Sequence, residues 1–232
     1  MERIQTIARH EGPRGEVVLR RRLGDQRDAD ELIINGVFAM DSSETSTERL
    51  LGDLAVPSGR AQRVLVGGLG LGYTVAAIAA KDVDAIDVVE IESCLIDWAY
   101  QGITATLADA ASDSRVRVRA GDIGLFLQGA SEEIVGPWDA IVLDVDNGPD
   151  FLIHEENRAL YSEPTLQAAY AQLAPRGTLA IWCQRSAPPL HAVLERIAAS
   201  TREHIIEVAR GERILRYAIY TLSRPKDFFA YG

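Results

Sequence analysis

The sequence predicts an α/β fold: a mostly parallel sheet covered by helices, preceded by a short β-rich appendage. Three observations predict it. From Arg63 onward, short apolar runs alternate with amphipathic helical stretches, the pattern of a parallel sheet covered on both faces. Residues 1–60 lack that alternation and form an N-terminal hairpin-and-helix unit, leaving 61–232 as the larger domain. The last two β runs are separated only by Arg210-Gly211-Glu212-Arg213, too short for a crossover, so they pair as an antiparallel hairpin.

In order along the chain, Val17-Val18-Leu19 and Glu31 to Ile34 are the first β runs. Asn35-Gly36 between Ile34 and Val37 is a hairpin signal, because both central residues of a type I′ turn need positive φ. Thr45 to Leu54 reads as a helix with Thr45 or Ser46 as its cap, ended by Pro57-Ser58-Gly59. The strand–helix pairs that follow are 64–66 with 74–80, 85–90 with 92–101, 116–118 with 123–127, 138–143 with 165–173, and 179–182 with 190–199. His204 to Val208 and Tyr217 to Leu222 form the closing hairpin.

The chain of 232 residues carries 24 Lys+Arg against 34 Asp+Glu, a net charge of −10. That balance argues against a nucleic-acid binder, which needs cations for phosphates, and suits a cationic substrate. The basic run Arg20-Arg21-Arg22, with Asp25, Asp28 and Asp30 soon after, reads as a solvated strand end. Cys94 and Cys183 have neither disulfide nor metal-site spacing, and His10, His154, His191 and His204 are scattered, so no metal is expected. Val64 to Ala80 is uncharged but too short and glycine-rich for a membrane span, and residues 1–5 lack a signal-peptide core. The expectation is a soluble, cytoplasmic protein.

In open parallel sheets, ligands bind beyond the carboxyl ends of the strands. The first strand of the larger domain runs into Gly67-Gly68-Leu69-Gly70-Leu71-Gly72, where the backbone turns sharply and approaches a ligand closely. The second ends at Glu90, placed to accept ribose hydroxyls or else to favour the dipole of the next helix. The third leads to Gly121-Asp122, an acceptor for an adenine amino group and equally a helix N-cap. The fourth ends in Asp144-Val145-Asp146-Asn147-Gly148-Pro149-Asp150, whose carboxylates are costly unless solvated or facing a cation. The stretch Phe151 to Leu160 reads either as a segment closing over the site or as an ordinary ordered loop; His154 faces either solvent or substrate. Trp98, Trp138 and Trp182 read as packing residues.

Arg63 to Gln184 resembles the spermidine synthase-like branch of the class I S-adenosylmethionine-dependent transferases. The matching pieces are Val64-Leu65-Val66-Gly67-Gly68, Val89-Glu90-Ile91-Glu92, Asp113-Ser114-Arg115-Val116, Gly121-Asp122, the Asp144 loop, Leu160-Tyr161-Ser162-Glu163 and Leu173-Ala174-Pro175-Arg176-Gly177. The resemblance implies a Rossmann-like seven-stranded sheet with an antiparallel last strand. It implies a donor pocket of Gly67, Gly68, Gly70, Glu90, Ile91, Asp122 and Asp144, with Glu90 on the ribose, Asp122 on the adenine and the glycine loop on the sulfonium-bearing chain. It also implies a homodimer through the N-terminal hairpin, although nothing in the residues requires one.

The departures concern the acceptor side. Gly70 stands where aminopropyltransferases carry an Asp in the glycine loop, and Asn147 stands where they carry a base. Ala39 and Ser46-Thr47, ahead of a retained Glu48, stand where they carry polyamine-seating residues. Asn147 cannot take a proton, so Asp146 is the candidate catalytic base and Asp144 the candidate amine anchor.

Three functions remain open. The first is aminopropyl transfer from decarboxylated S-adenosylmethionine to a small cationic amine. The second is methyl transfer from intact S-adenosylmethionine, whose carboxylate free N–H groups at Gly70 would receive. The third is nucleoside binding without catalysis.

Overall fold

A computed structural model describes residues 3–24, 28–57, 59–129, 135–210 and 213–226. Asp25, Ser58 and the Gly211-Glu212 turn, all named above, lie outside the described residues.

The N-terminal segment forms its own antiparallel sheet of β1 (Arg3–Gly12), β2 (Gly15–Leu23), β3 (Ala29–Ile34) and β4 (Val37–Asp41), in that order. Asn35 and Gly36 adopt φ of 52° and 77° and close the β3–β4 hairpin, as expected for a type I′ turn. β1 was not legible: its residues are mostly exposed, and its strand form comes from pairing with β2. The basic run is not a solvated strand end. Arg20 and Arg22 both bond Glu31 across the β2–β3 ladder, at 2.7 and 2.8 Å, and Arg21 bonds Asp30 at 2.7 Å. Opposite charges directly across a ladder support the register.

Helix α1 (Ser46–Ala55) leads into the second sheet, of β5 (Arg60–Gly67), β6 (Asp82–Glu90), β7 (Val116–Ala120), β8 (Trp138–Leu143), β9 (Leu173–Cys183), β10 (Arg202–Arg210) and β11 (Arg213–Ser223). Its order is β10-β11-β9-β8-β5-β6-β7, with β11 antiparallel to both neighbours and the other pairings parallel. The fold is therefore α/β, a seven-stranded mostly parallel sheet with an antiparallel last strand and a smaller N-terminal sheet.

The connecting helices are α2 (Tyr73–Ala79), α3 (Ser93–Tyr100), α4 (Ala105–Ser112), α5 (Ile123–Leu127), α6 (Glu163–Ala171) and α7 (Pro188–Ile197). α4 was missed because its alanines give a weak apolar stripe, although Thr104 caps it by accepting the Leu107 N–H. One buried cluster, including Leu51, Val66, Ile78, Val88 and Leu95, also takes in Leu19 and Leu32 from the N-terminal sheet, joining the two sheets through shared packing. Leu65, Ile141, Leu166 and Leu179 belong to the cluster on the other face. β5 pairs β6 on one side and β8 on the other, so connections leave in opposite directions at its carboxyl end and open a crevice there. No described helix is long and apolar enough to cross a membrane.

Candidate functional site

The strand ends at that crevice are stitched together by backbone hydrogen bonds. Asp144 N donates to Gly67 O, Gly68 N to Val89 O and Gly121 N to Glu90 O, each at 2.9 Å. These bonds hold the turns after β5, β6, β7 and β8 at one level. Between them and the N-terminal sheet lies a cavity that opens to solvent, a concave setting of the kind that holds small molecules.

Gly68, Gly70, Glu90, Ile91, Asp122, Asp144 and Asp146 all line this cavity. Gly67 does not. It is the last residue of β5 and packs beneath, where a Cβ would stand 2.9 Å from Ile123. Gly68 has φ +92°, and a Cβ there would come within 2.2 Å of the Asp144 carbonyl oxygen. Only glycine lets the β5 and β8 turns approach so closely.

Glu90, 5% exposed, accepts the Leu69 N–H and the Glu92 N–H, each at 2.7 Å, and a further backbone bond from Gly70. Burial pushes its carboxyl above the ordinary range despite those bonds. Asp122 caps α5 through Gly124 N at 2.7 Å, so its capping and cavity-lining positions coexist. The loop's donors are committed: Gly68 N to Val89 O, Leu69 and Gly70 N to Glu90, Leu71 N to Met40 Sδ at 3.3 Å, and Gly72 N to Leu69 O at 2.8 Å. The free N–H groups expected at Gly70 for a carboxylate are not present.

Asp144 accepts the Thr74 hydroxyl at 2.6 Å, and burial raises its carboxyl above the usual range. Asp146 accepts Asn157 Nδ2 at 2.9 Å and backbone bonds from Ile153 and His154; burial raises it as well. It holds φ +53°, a left-handed conformation that Asp adopts more readily than most residues. Asn147 turns away. It is buried, its Nδ2 donates to Phe38 O of β4 at 3.3 Å, and its carbonyl accepts Gln184 N.

The stretch Phe151 to Leu160 is folded over the cavity. Most of it lies in a 3-10 helix, Glu155–Tyr161, that runs one residue beyond it, and Tyr161 Oη donates to Val145 O at 2.7 Å. His154 lines the cavity with its Nε2 3.1 Å from Glu92 Oε1; Arg14 Nε lies 3.5 Å from the same oxygen. Trp98 is core and Trp138 is fully buried, as expected for packing. Trp182 is also buried in the core, and it lines the cavity as well, with its ring centroid 5.6 Å from that of Tyr217.

Sequence reasoning marked Glu48 only as a retained family residue and gave no site role to Met40, Glu92 and Trp182; all four also line the cavity. Glu48 is 7% exposed, accepts the Thr47 hydroxyl at 2.7 Å and is pushed up to about 7 by burial, with the Asp144 charge adding to the shift. Among the described residues, no group of three or more His, Cys, Asp or Glu is arranged to hold a metal ion.

No protein-family model matches the chain, and no curated protein matches its sequence. Solved structures do match. One is a spermidine synthase in complex with the transition-state analogue AdoDATO, with TM-score 0.77, 15% identity, and coverage of 96% of this chain and 75% of that one. Another is spermidine synthase from Thermotoga maritima, with TM-score 0.72, 14% identity, and coverage of 96% and 73%. With the strand order, the glycine turn and the smaller N-terminal sheet already in place, the likeness fixes the architecture: this chain has the spermidine synthase fold, one form of the class I S-adenosylmethionine-dependent methyltransferase-like fold.

Proposed function

We propose that the chain transfers an aminopropyl group from decarboxylated S-adenosylmethionine to a small cationic amine. One observation carries this reading. Six carboxylates (Glu48, Glu90, Glu92, Asp122, Asp144 and Asp146) open onto one cavity whose lining, among the described residues, includes no lysine or arginine. Such a cavity favours cations over anions. The α-carboxylate of intact S-adenosylmethionine would find neither a cation nor a spare loop N–H, whereas the decarboxylated donor brings an ammonium and a sulfonium. Both structural neighbours are spermidine synthases, which supports the reading by analogy.

In the reaction, the acceptor nitrogen attacks the aminopropyl carbon attached to sulfur, in line with the bond that breaks. A C–N bond forms, the C–S electron pair returns to sulfur, and methylthioadenosine leaves. The acceptor must first lose a proton to supply its lone pair. Asp146 is the base in this reading: its raised carboxyl, held by Asn157, is a better proton acceptor than an ordinary aspartate. Asp144 is the amine anchor, placed where donor and acceptor meet. Glu90 and Asp122 hold the ribose and the adenine, and positioning supplies much of the remaining acceleration.

Calorimetric titration with S-adenosylmethionine and, separately, its decarboxylated form is the test, followed by an amine panel with methylthioadenosine as the product read. Preference for the decarboxylated donor and product release are expected. Preference for the intact donor would make the chain a methyltransferase on this fold. Tight nucleoside binding without turnover would make it a non-catalytic binder.

A further inference from the structure

A buried carboxylate with no cation beside it is costly unless a cationic ligand completes it. Glu48 is such a group. It sits in α1, lines the cavity and, among the described residues, bonds only the Thr47 hydroxyl and its own backbone N–H. No lysine or arginine among the described residues pairs with it. The charged and titratable groups that interact with it are Asp144 at the end of β8, Glu44 ahead of α1 and Tyr217 of β11, none of them a cation. Two carboxyls of like charge, one from helix α1 and one from the end of β8, thus line the same cavity.

The crest of the glycine loop beside them is neutral. Gly70 has no side chain, and Met40 of β4 fills the space above it: a Cβ at Gly70 would stand 2.7 Å from Met40 Sδ. That sulfur accepts the Leu71 N–H at 3.3 Å. A thioether cannot hold a cation as a carboxylate does, so the charge facing the aminopropyl end of a donor comes from α1 and β8 rather than from the loop.

We propose that Glu48, paired with Asp144, binds the terminal ammonium of the donor's aminopropyl chain and thereby selects a donor that lacks the α-carboxylate. This rests on the aminopropyl-donor reading above. An α-carboxylate brought to the same place would meet two carboxylates and a loop whose N–H groups are already bonded.

The test is calorimetry of wild type and Glu48→Gln with two probes, decarboxylated S-adenosylmethionine and methylthioadenosine. The second keeps the nucleoside and the sulfur but has no ammonium. Glutamine has the shape of the protonated Glu48 side chain and can still accept the Thr47 hydroxyl bond, so the variant keeps the local fold. Wild type is expected to bind both probes. Glu48→Gln is expected to lose roughly tenfold or more in affinity for the decarboxylated donor, the range for a charge-assisted contact, with methylthioadenosine unchanged. An unchanged donor affinity in the variant would overturn the proposal, as would equal loss for both probes. Failure of wild type to bind either probe would instead overturn the nucleoside-site reading on which it rests.

Discussion

Glu48 couples stability to pH in a direction opposite to most carboxylates. Its pKa of about 7 in the fold exceeds the ordinary 4.5 because burial and the Asp144 charge oppose ionisation. The folded chain therefore holds a proton that the unfolded chain releases. The stability this gives is fully present below about pH 4.5 and is lost as pH rises through about 7, for a total of about 3 kcal/mol. Glu48→Gln should leave the ligand-free protein more stable than wild type at pH 8, by on the order of 1–3 kcal/mol, with the two converging near pH 4. Urea titration at both pH values measures this. Asp146→Asn tests the base: Asn also tolerates the left-handed backbone, so turnover should fall by roughly a hundredfold or more while donor affinity stays within about twofold of wild type. Unchanged turnover would remove Asp146 from the reaction. Asp144, Asp146, Glu90 and Asp122 were legible because each follows an apolar strand at its carboxyl end. The environment of Glu48 was not, because the cavity that buries it is shared with Asp144, ninety-six positions along the chain.

At the scale of elements, the glycine turn between β5 and α2 permits the closest approach in the site. Gly68→Ala combines a positive φ with a Cβ 2.2 Å from the Asp144 carbonyl, a backbone atom that cannot rotate away. It should cost on the order of 2–4 kcal/mol and displace the Asp144 turn, so thermal unfolding and nucleoside titration should fail together. Elements with a strong apolar period were readable: β8 spans Trp138–Leu143 as expected, and α1 and α5 fall within a residue of their predicted ends. Elements made by their neighbours were not. β9 begins at Leu173, but residues 174–177 bulge out between the Trp138 and Ala140 pairings, and Arg176 takes φ +68°. Pro175 and Gly177 read as a turn in isolation. The same holds for the 3-10 helix over the site, tied down by Tyr161, Asn157 and His154 through partners outside the segment.

At the scale of the molecule, the cavity is complete only because the N-terminal sheet sits against the strand ends of the larger one. Leu32, Ile34, Ala39 and Met40 line it from that side. Besides apolar packing, polar ties hold the sheet in place, among them Asn147 Nδ2 to Phe38 O at 3.3 Å and Arg210 of β10 to Asp41 at the end of β4 at 2.7 Å. The sequence suggested a β-rich appendage, but its docking was hidden, since Asp41 and Arg210 lie 169 residues apart and neither belongs to a recognisable motif. The Asp41 side chain is only 4% exposed. Removing its cation leaves a buried carboxylate with only Ser43 and the Glu44 N–H as donors. Arg210→Met keeps the aliphatic bulk and removes the charge, so it should destabilise the fold by about 1.5–3 kcal/mol, the range for a charge-assisted bond. Because Met40 adjoins Asp41 in β4, loosening this tie should also weaken decarboxylated S-adenosylmethionine binding several-fold at a temperature where the variant is fully folded. A stability loss with unchanged donor affinity would mean that apolar packing alone positions β4, and that the ion pair holds the sheet without shaping the cavity.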